Sequence, residues 1–424
     1  MSTRGEKRDC QTAPLDILCS LPENVIDDIL MRLPLRDAMQ TSILSKKWRY
    51  NWCRLPELTL DLTNLISTKD SIPPMFKFTN IIYHLLTLHT GPITKFDLSF
   101  SSNLMPCPTI DNLIYFLSRN GIQHLVLKLS SRGDPYKLPT SLFTCFQLRR
   151  LTLQYCSIIP PPAFKGFDQL ISLELRRATI TSKFLESLIS HCVLLEQLVL
   201  DISDLSGVVE INAPRLRCFK FAGEISSIYL KYIPLVTELS LADMECYEGP
   251  RICDIAKFFE SFPALEHLRL NHGILMYLAA GGDLPIRLPF DLNCIKCLCL
   301  ADFYLDELDV VSCALCLIRS FPFLRYLEIQ VDDLNDDIPA LECLEVEAFS
   351  DATFNNLREV QLTSIIGSKP EMQLIKLLLA KSPMLVRMLV EPYLEVDDAD
   401  KLKISDVLNS FRRASPEVEV VYTC

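Results

Sequence analysis

Residues 148–175 read LRRLTLQYCSIIPPPAFKGFDQLISLEL and hold one phrase twice, Leu148-x-x-Leu151-x-Leu153 and Leu170-x-x-Leu173-x-Leu175. The apolar positions at the end of each phrase alternate with period two, the period of a strand that turns its leucines one way and the intervening side chains the other. Upstream the phrase recurs from Ile93 (Phe96, Leu98) and Ile122 (Leu125, Leu127). Downstream it recurs from Leu195, Leu216, Val236, Leu265, Ile295, Leu324, Leu341, Leu357 and Leu385. The intervals between middle positions are 29, 26, 22, 25, 21, 20, 29, 30, 29, 17, 16 and 28 residues, so the two short ones predict a break in register around residues 330–360.

The stretches between phrases, such as SKFLESLIS (182–190) and IAKFFESF (255–262), have helical spacing, so each repeat is expected to be a strand plus a helix. One such unit cannot cover its own apolar face, and stability has to come from stacking. The phrase resembles the strand consensus of leucine-rich repeats, which implies a curved solenoid. The family pattern places Asn or Cys three residues after the last strand leucine. Here only Cys156 fits, the other positions being Ala178, Ser203, Glu224, Met244, Gly273, Phe303 and Asp332, so an irregular solenoid is expected. A doubly wound parallel sheet is the alternative, but 12 glycines do not supply its glycine-rich turns.

Ahead of the repeats, residues 20–52 read SLPENVIDDILMRLPLRDAMQTSILSKKWRYNW. Ser20 with Glu23 is a capping-box pattern, and Pro22 is tolerated in a first turn. Val25, Ile26, Ile29, Leu30 and Leu33 recur at helical spacing until Pro34. A second helical pattern covers 42–52, with Leu44, Trp48 and Trp52 four apart on one stripe. So short a segment cannot bury this much apolar surface alone, which points to a partner surface. Leu21-Pro22, Val25, Ile29-Leu30, Leu33-Pro34, Ser42-Ile43-Leu44-Ser45-Lys46 and Trp48-Arg49-x-x-Trp52 resemble a plant-type F-box. That resemblance implies a three-helix module that binds a Skp-type adaptor, and through it a cullin-RING ubiquitin ligase. Carried over position by position, the adaptor-facing residues would be Leu21, Pro22, Ile26, Ile29, Leu33, Leu44 and Trp48, with Trp52 bracing the module.

From residue 339 the text changes. Ser368 and Glu371 form another capping-box pattern ahead of the stripe Ile375, Leu378 and Leu379, and Arg413-Ala414-Ser415-Pro416 precedes a last strand. This segment resembles the FBD region that ends plant F-box and leucine-rich repeat proteins, and is expected to cap the open end of the stack. The expected fold is therefore α/β: a disordered tail (1–15), a three-helix F-box (16–54), an irregular leucine-rich repeat solenoid (55–338) and an FBD-like cap (339–424).

Composition narrows the chemistry. A net charge of -11 speaks against nucleic acid and anionic membranes as partners. Seventeen scattered cysteines, no apolar window near the ~20 residues of a membrane span, no signal-peptide core and no Asn-x-Ser/Thr sequon place the chain in the cytoplasm or nucleus. Cys294-x-x-Cys297 and Cys313-x-x-Cys316 have zinc-site spacing. However, Cys297 alternates with Leu298 onto the concave side while Cys313 and Cys316 lie in a helical stretch on the other, so no metal is expected. His84, His89, His124, His191, His267 and His272 form no catalytic motif, so neither enzymatic activity nor a cofactor is expected. Candidate target contacts are the intervening strand residues Arg150, Thr152, Gln154, Glu174, Arg176, Asp201, Lys220, His267, Arg269, Asn271, Tyr326, Glu328 and Gln330.

These features together point to a substrate-recognition subunit of an SCF-type ubiquitin ligase that holds a target protein. A non-degradative interaction scaffold and a small-molecule co-receptor remain as alternatives.

Overall fold

A computed structural model describes residues 20–33, 35–61, 74–99, 108–129, 133–203, 205–244, 254–280, 284–332, 342–349, 353–394 and 396–422. The expected tail at 1–15 lies outside them. The chain divides into two compact units, one ending at Pro162 and one running from Ala163 to Cys424.

In the first unit, β1 (Glu57–Asp61), β2 (Lys95–Ser99), β3 (His124–Lys128) and β5 (Arg150–Gln154) form a parallel sheet. β4 (Tyr136–Lys137) and β6 (Cys156–Ser157) pair separately. Leu58, Phe96, Leu125 and Leu151 stand side by side, as do Leu60, Leu98, Leu127 and Leu153, and all are buried. Helices Pro74–Leu88 and Pro108–Arg119 fill two of the connections, and a 3-10 turn, Thr140–Thr144, fills the third. β1 carries an unrecognised copy of the phrase, Leu55-x-x-Leu58-x-Leu60.

In the second unit, β7 (Ser172–Arg176) and β8 (Gln197–Asp201) lead into β9 (Val209–Asn212), β10 (Cys218–Gly223), β11 (Ile228–Tyr232) and β12 (Glu238–Asp243). They are followed by β13 (His267–Asn271), β14 (Cys297–Phe303), β15 (Tyr326–Val331), β16 (Glu359–Ile365), β17 (Arg387–Pro392) and β18 (Glu419–Tyr422). β9 and β11 pair with each other, and the other ten pair in parallel in chain order. Leu173, Leu198, Phe219, Leu239, Leu268, Leu298, Leu327, Val360 and Met388 share one buried row.

Register is set by a hydrogen bond repeated along the stack. In most repeats one carbonyl just before the strand accepts two successive N–H groups of the next repeat. Glu266 O takes Lys296 N at 2.9 Å and Cys297 N at 3.1 Å, and Lys296 O takes Arg325 N at 2.8 Å and Tyr326 N at 3.0 Å. From Leu148 onward a turn three residues ahead of most phrases closes onto the first apolar residue, with Leu265 N donating to Phe262 O and Leu324 N to Phe321 O. The residue opening that turn is buried in repeat after repeat: Cys145, Phe167, Cys192, Ala213, Ile233, Phe262, Phe321 and Phe354.

At the other strand end, Tyr155, Arg177, Asp302 and Ser364 each lie two residues past the last strand leucine with φ of 57°, 46°, 50° and 63°. This left-handed step costs roughly 1–2 kcal/mol for a residue with a Cβ. It turns the following residue inward, and Cys156, Ala178, Phe303 and Ile365 are all buried there. Gly223 holds the same place on β10 with φ 156°, and an added Cβ would stand 2.3 Å from Ile202 O.

Several expectations need correction. Twelve of the thirteen phrases become strands, but the one at Leu341, Leu344 and Val346 does not. Leu341 lies outside the described residues, while Glu342–Leu344 and Val346–Phe349 are 3-10 turns. Leu327 pairs directly with Val360, so the two short intervals together make one repeat and the register is unbroken. The strand-plus-helix rule fails where repeats are shortest. Intervals of 21 and 20 residues leave no room for a helix, and β9 and β11 run in its place. A helix is about 10 Å wide against ~4.8 Å between strands, so thin back elements relieve crowding. Helices Ser182–His191 and Ile255–Glu260 form as expected. Asn271, expected to meet a target, is instead structural. Its side chain accepts from Asp243 N and donates to Asp243 O, both at 3.0 Å, and accepts from Ile274 N at 3.3 Å to cap the helix His272–Ala279.

The capping box of Ser368 and Glu371 forms at the start of helix Lys369–Lys381. The fully buried Glu371 carboxylate accepts from Ser368 N and Gly367 N at 2.7 Å and from Ile366 N at 3.2 Å. Burial pushes its pKa up to about 7 from the ordinary 4.5, against the opposing pull of those N–H donors. The folded state therefore binds more protons than the unfolded one across that window. Stability should be greatest below about 4.5 and fall as pH rises toward about 7, with the slope abolished in Glu371→Gln; urea titrations across this range check it. Glu371→Ala, which orphans the buried Ser368 N–H and the half-buried Ile366 and Gly367 N–H groups, should cost about 1–3 kcal/mol. Gly223→Ala should cost more than 2 kcal/mol by the same measurement, roughly the combined effect of backbone strain and a steric clash.

Candidate functional site

The N-terminal module is built from helix Glu23–Met31, helix Leu35–Gln40 and two 3-10 turns, Thr41–Ile43 and Asn51–Arg54. The first helix starts at Glu23 with Pro22 at its N-cap and no side-chain cap, so the Ser20 capping box does not form. The continuous second helix expected over 42–52 is also absent. Ser42 Oγ donates to Arg49 O at 2.8 Å, whereas seven residues of helix would separate them by about 10 Å. The stripe that spacing placed on one helix face is therefore divided. Trp48 and Trp52 turn inward and are buried, while Leu44 turns out.

The adaptor-facing set divides accordingly. Ile26 and Trp48 are core residues with Leu30, Leu35 and Ala38 and are not available to a partner in this conformation. Leu21, Ile29 and Leu33 are half-buried and Pro22 is exposed. Leu44 is 51% exposed, and the module exposes further apolar residues absent from the expected set: Ile43 at 87%, Tyr50 at 60% and Met31 at 48%. Ile43 stood in the quoted motif Ser42-Ile43-Leu44-Ser45-Lys46, and that was the signal for it.

The module is seated on the first repeat. Helix Leu35–Gln40 packs against β1. Arg54 forms ion pairs with Glu23 at 3.3 Å and Asp27 at 3.2 Å, and Thr90 N donates to Cys53 O at 2.8 Å. Buried His89 bonds through Nε2 to Leu55 O at 3.0 Å, and burial lowers its pKa. Gly91 lies against the Arg54 backbone, where an added Cβ would come within 3.1 Å of Arg54 O.

The second candidate surface is the open face of the strands. In the first unit, Arg150 is exposed and Gln154 half-buried on β5. In the second, Glu174 and Arg176 pair with each other on β7. His267, Arg269, Tyr326 and Glu328 come together across three strands. Arg269 reaches Glu328 at 3.5 Å, and the Tyr326 hydroxyl lies 3.2 Å from Glu328 and 3.0 Å from Gln361 Oε1. Gln361 Nε2 donates to Glu391 at 3.4 Å, and Lys220 pairs with Glu238 at 2.5 Å. Burial and the Glu328 carboxylate raise the Tyr326 pKa, keeping the hydroxyl protonated as a donor.

Lys220, Glu238, Ser240, His267, Arg269, Cys297 and Cys299 line an open hollow of about 380 Å³. The two cysteines are missing from the expected contacts although the alternation Cys297-Leu298-Cys299-Leu300 already turned them outward; Cys297 entered only as a zinc-ligand candidate and Cys299 not at all. Cys313 and Cys316 are buried in helix Leu308–Ser320. No cluster among the described residues could hold a metal ion.

These features define a leucine-rich repeat protein with a short helical docking module on its N-terminal side. Residues 18–59 match the F-box domain, and residues 110–329 match the family described as FBD-associated F-box protein At5g56370, LRR repeats. F-box/FBD/LRR-repeat protein At1g13570 of Arabidopsis thaliana is 34% identical over 416 residues, 96% of this chain and 98% of that protein. F-box/FBD/LRR-repeat protein At5g56420 of the same plant is 31% identical over 210 residues, 48% of each chain. Putative F-box/FBD/LRR-repeat protein At5g52460, also from that plant, is 31% identical over 266 residues, 61% of this chain and 66% of that one. The chain belongs to the plant F-box/FBD/LRR-repeat family.

The division of the module makes a stability prediction. Ile43→Ser and Leu44→Ser should leave the thermal midpoint nearly unchanged, within about 0.5 kcal/mol, whereas Trp48→Ala should cost about 3–5 kcal/mol.

Proposed function

We propose that this chain is the substrate-recognition subunit of an SCF-type ubiquitin ligase. The F-box binds a Skp-type adaptor and through it a cullin-RING ligase, and the open strand face holds a target protein. Family membership supports the role in general. The observation that carries it for this chain is that a module able to bury both its tryptophans still leaves Ile43, Leu44 and Tyr50 in water. Large apolar side chains left exposed on a short folded module are what a docking surface requires. Leu21, Pro22, Ile29 and Leu33, all with some accessible surface, complete the adaptor-facing set.

On the target side, Arg150, Gln154, Glu174, Arg176, His267, Arg269, Tyr326 and Glu328 present mixed charge and hydrogen-bonding groups, which suits a protein surface. The segment from residue 339 serves as the FBD-like cap. Among the described residues β18 pairs with β17 alone, and helix Asp398–Ser410 packs beside it, which fits an element that ends the stack. On this reading catalysis belongs to other subunits, the chain needs no cofactor, and it works in the cytoplasm or nucleus.

The test is co-purification of a Skp-type adaptor with the full chain and with an Ile43→Asp/Leu44→Asp variant whose unfolding curve is unchanged. Adaptor recovery should drop at least about tenfold, equivalent to some 1.4 kcal/mol of binding. Equal recovery would refute the docking assignment. Trp48→Ala is unsuitable here because it would unfold the module. Deleting residues 20–52 should make captured targets accumulate in cells, and targets that bind yet keep their abundance would mark a non-degradative scaffold instead.

A further inference from the structure

The hollow on the second unit's open face contains a chemical feature that target recognition does not require. Cys297 and Cys299 are two apart on β14, so the pleat turns both thiols to the same side, and their Sγ atoms are 4.0 Å apart. Both are half-buried, opening on the hollow. Cys53, Cys145, Cys156 and Cys192, by contrast, are sealed in the interior, where burial pushes their thiols up to about 11 or 12.

The neighbours of the pair differ on its two sides. Cys299 Sγ lies 3.5 Å from Glu328 Oε2, so a negative charge on Cys299 would face a carboxylate. Cys297 stands directly opposite His267 on the adjacent strand. Cys299 keeps its proton, which it donates to that carboxylate, and the anion settles on Cys297, beside the neutral Cys299 thiol and facing the imidazole. The contact with Cys299 is the largest influence and His267 adds to it; burial and Glu328 oppose them, and the balance brings the Cys297 thiol down to about 6. Lys220, Glu238 and Arg269 complete the charged surroundings, each held in an ion pair.

We propose that Cys297 is a nucleophilic thiol and a site of covalent modification by small α,β-unsaturated carbonyl compounds. The Cys297 thiolate lone pair forms a C–S bond to the β-carbon. The carbon–carbon π bond breaks toward the carbonyl to give an enolate, and the enolate takes a proton from water. No oxidant or reductant is needed. Cys299 and His267 are positioning residues that set the charge on the nucleophile. This inference is independent of the ligase reading, because it concerns one face of the repeats and needs no adaptor.

The test uses the folded full chain with a small excess of N-ethylmaleimide, followed by peptide mass mapping, with exposed Cys294 as the internal standard. At about pH 6, the larger thiolate fraction outweighs the lower intrinsic nucleophilicity of a low-pKa thiol, and Cys297 should label about tenfold faster than Cys294. Toward about pH 9 the advantage should vanish. Cys299→Ala should move the Cys297 rate profile upward in pH toward that of an ordinary thiol, and His267→Gln should move it part of the way. Urea-denatured chain should label both cysteines equally. Equal labelling of Cys297 and Cys294 at about pH 6 in the folded chain would overturn the proposal, as would labelling confined to Cys299 or a Cys297 profile indifferent to Cys299→Ala.

Discussion

In most repeats the carbonyl just before the strand accepts two N–H groups from the next repeat, and the rest of the architecture depends on that clamp. It admits one register, because a slip of a single residue would turn every leucine of the row toward solvent. With register fixed, Leu268, Leu298 and Leu327 stack on the covered side, and His267, Cys297 and Tyr326 stack on the open side. The back of each repeat has no comparable clamp. It accepts a three-turn helix, a 3-10 turn or a short strand according to the number of residues available.

The two candidate surfaces arise from opposite treatments of apolar side chains. The N-terminal module buries its tryptophans and anchors itself through Arg54, Cys53 and Leu55, yet keeps Ile43 and Leu44 outside. The open strand face is polar and cross-linked by its own ion pairs and hydrogen bonds, from Arg269 through Glu328 and Tyr326 to Gln361 and Glu391. A network of this kind holds its side chains in place before any partner arrives, which lowers the ordering cost of binding.

Much of the fold was legible in the sequence because a two-residue alternation inside a repeating phrase leaves little choice of structure. The failures have physical causes. Leu341-x-x-Leu344-x-Val346 has the right residue types, yet Glu342–Leu344 and Val346–Phe349 fold as 3-10 turns, so the phrase alone does not decide for a strand. The stripe Leu44, Trp48 and Trp52 assumed an unbroken helix, and the Ser42 to Arg49 hydrogen bond shows a folded-back loop instead. For that reason only part of the adaptor-facing set is accessible. The network around Tyr326 could not be read at all, since it joins residues about thirty positions apart in the chain, and only pairing brings them within reach.

The left-handed step after the strands has a consequence for how such proteins diversify. At Tyr155, Arg177, Asp302 and Ser364 the direction of the chain is set by backbone geometry, and it is the next residue that is buried in the stack. The rim of the sheet can thus change its chemistry without disturbing the stack beneath it. A lineage of these proteins can keep one scaffold and acquire new binding preferences by drift at rim positions.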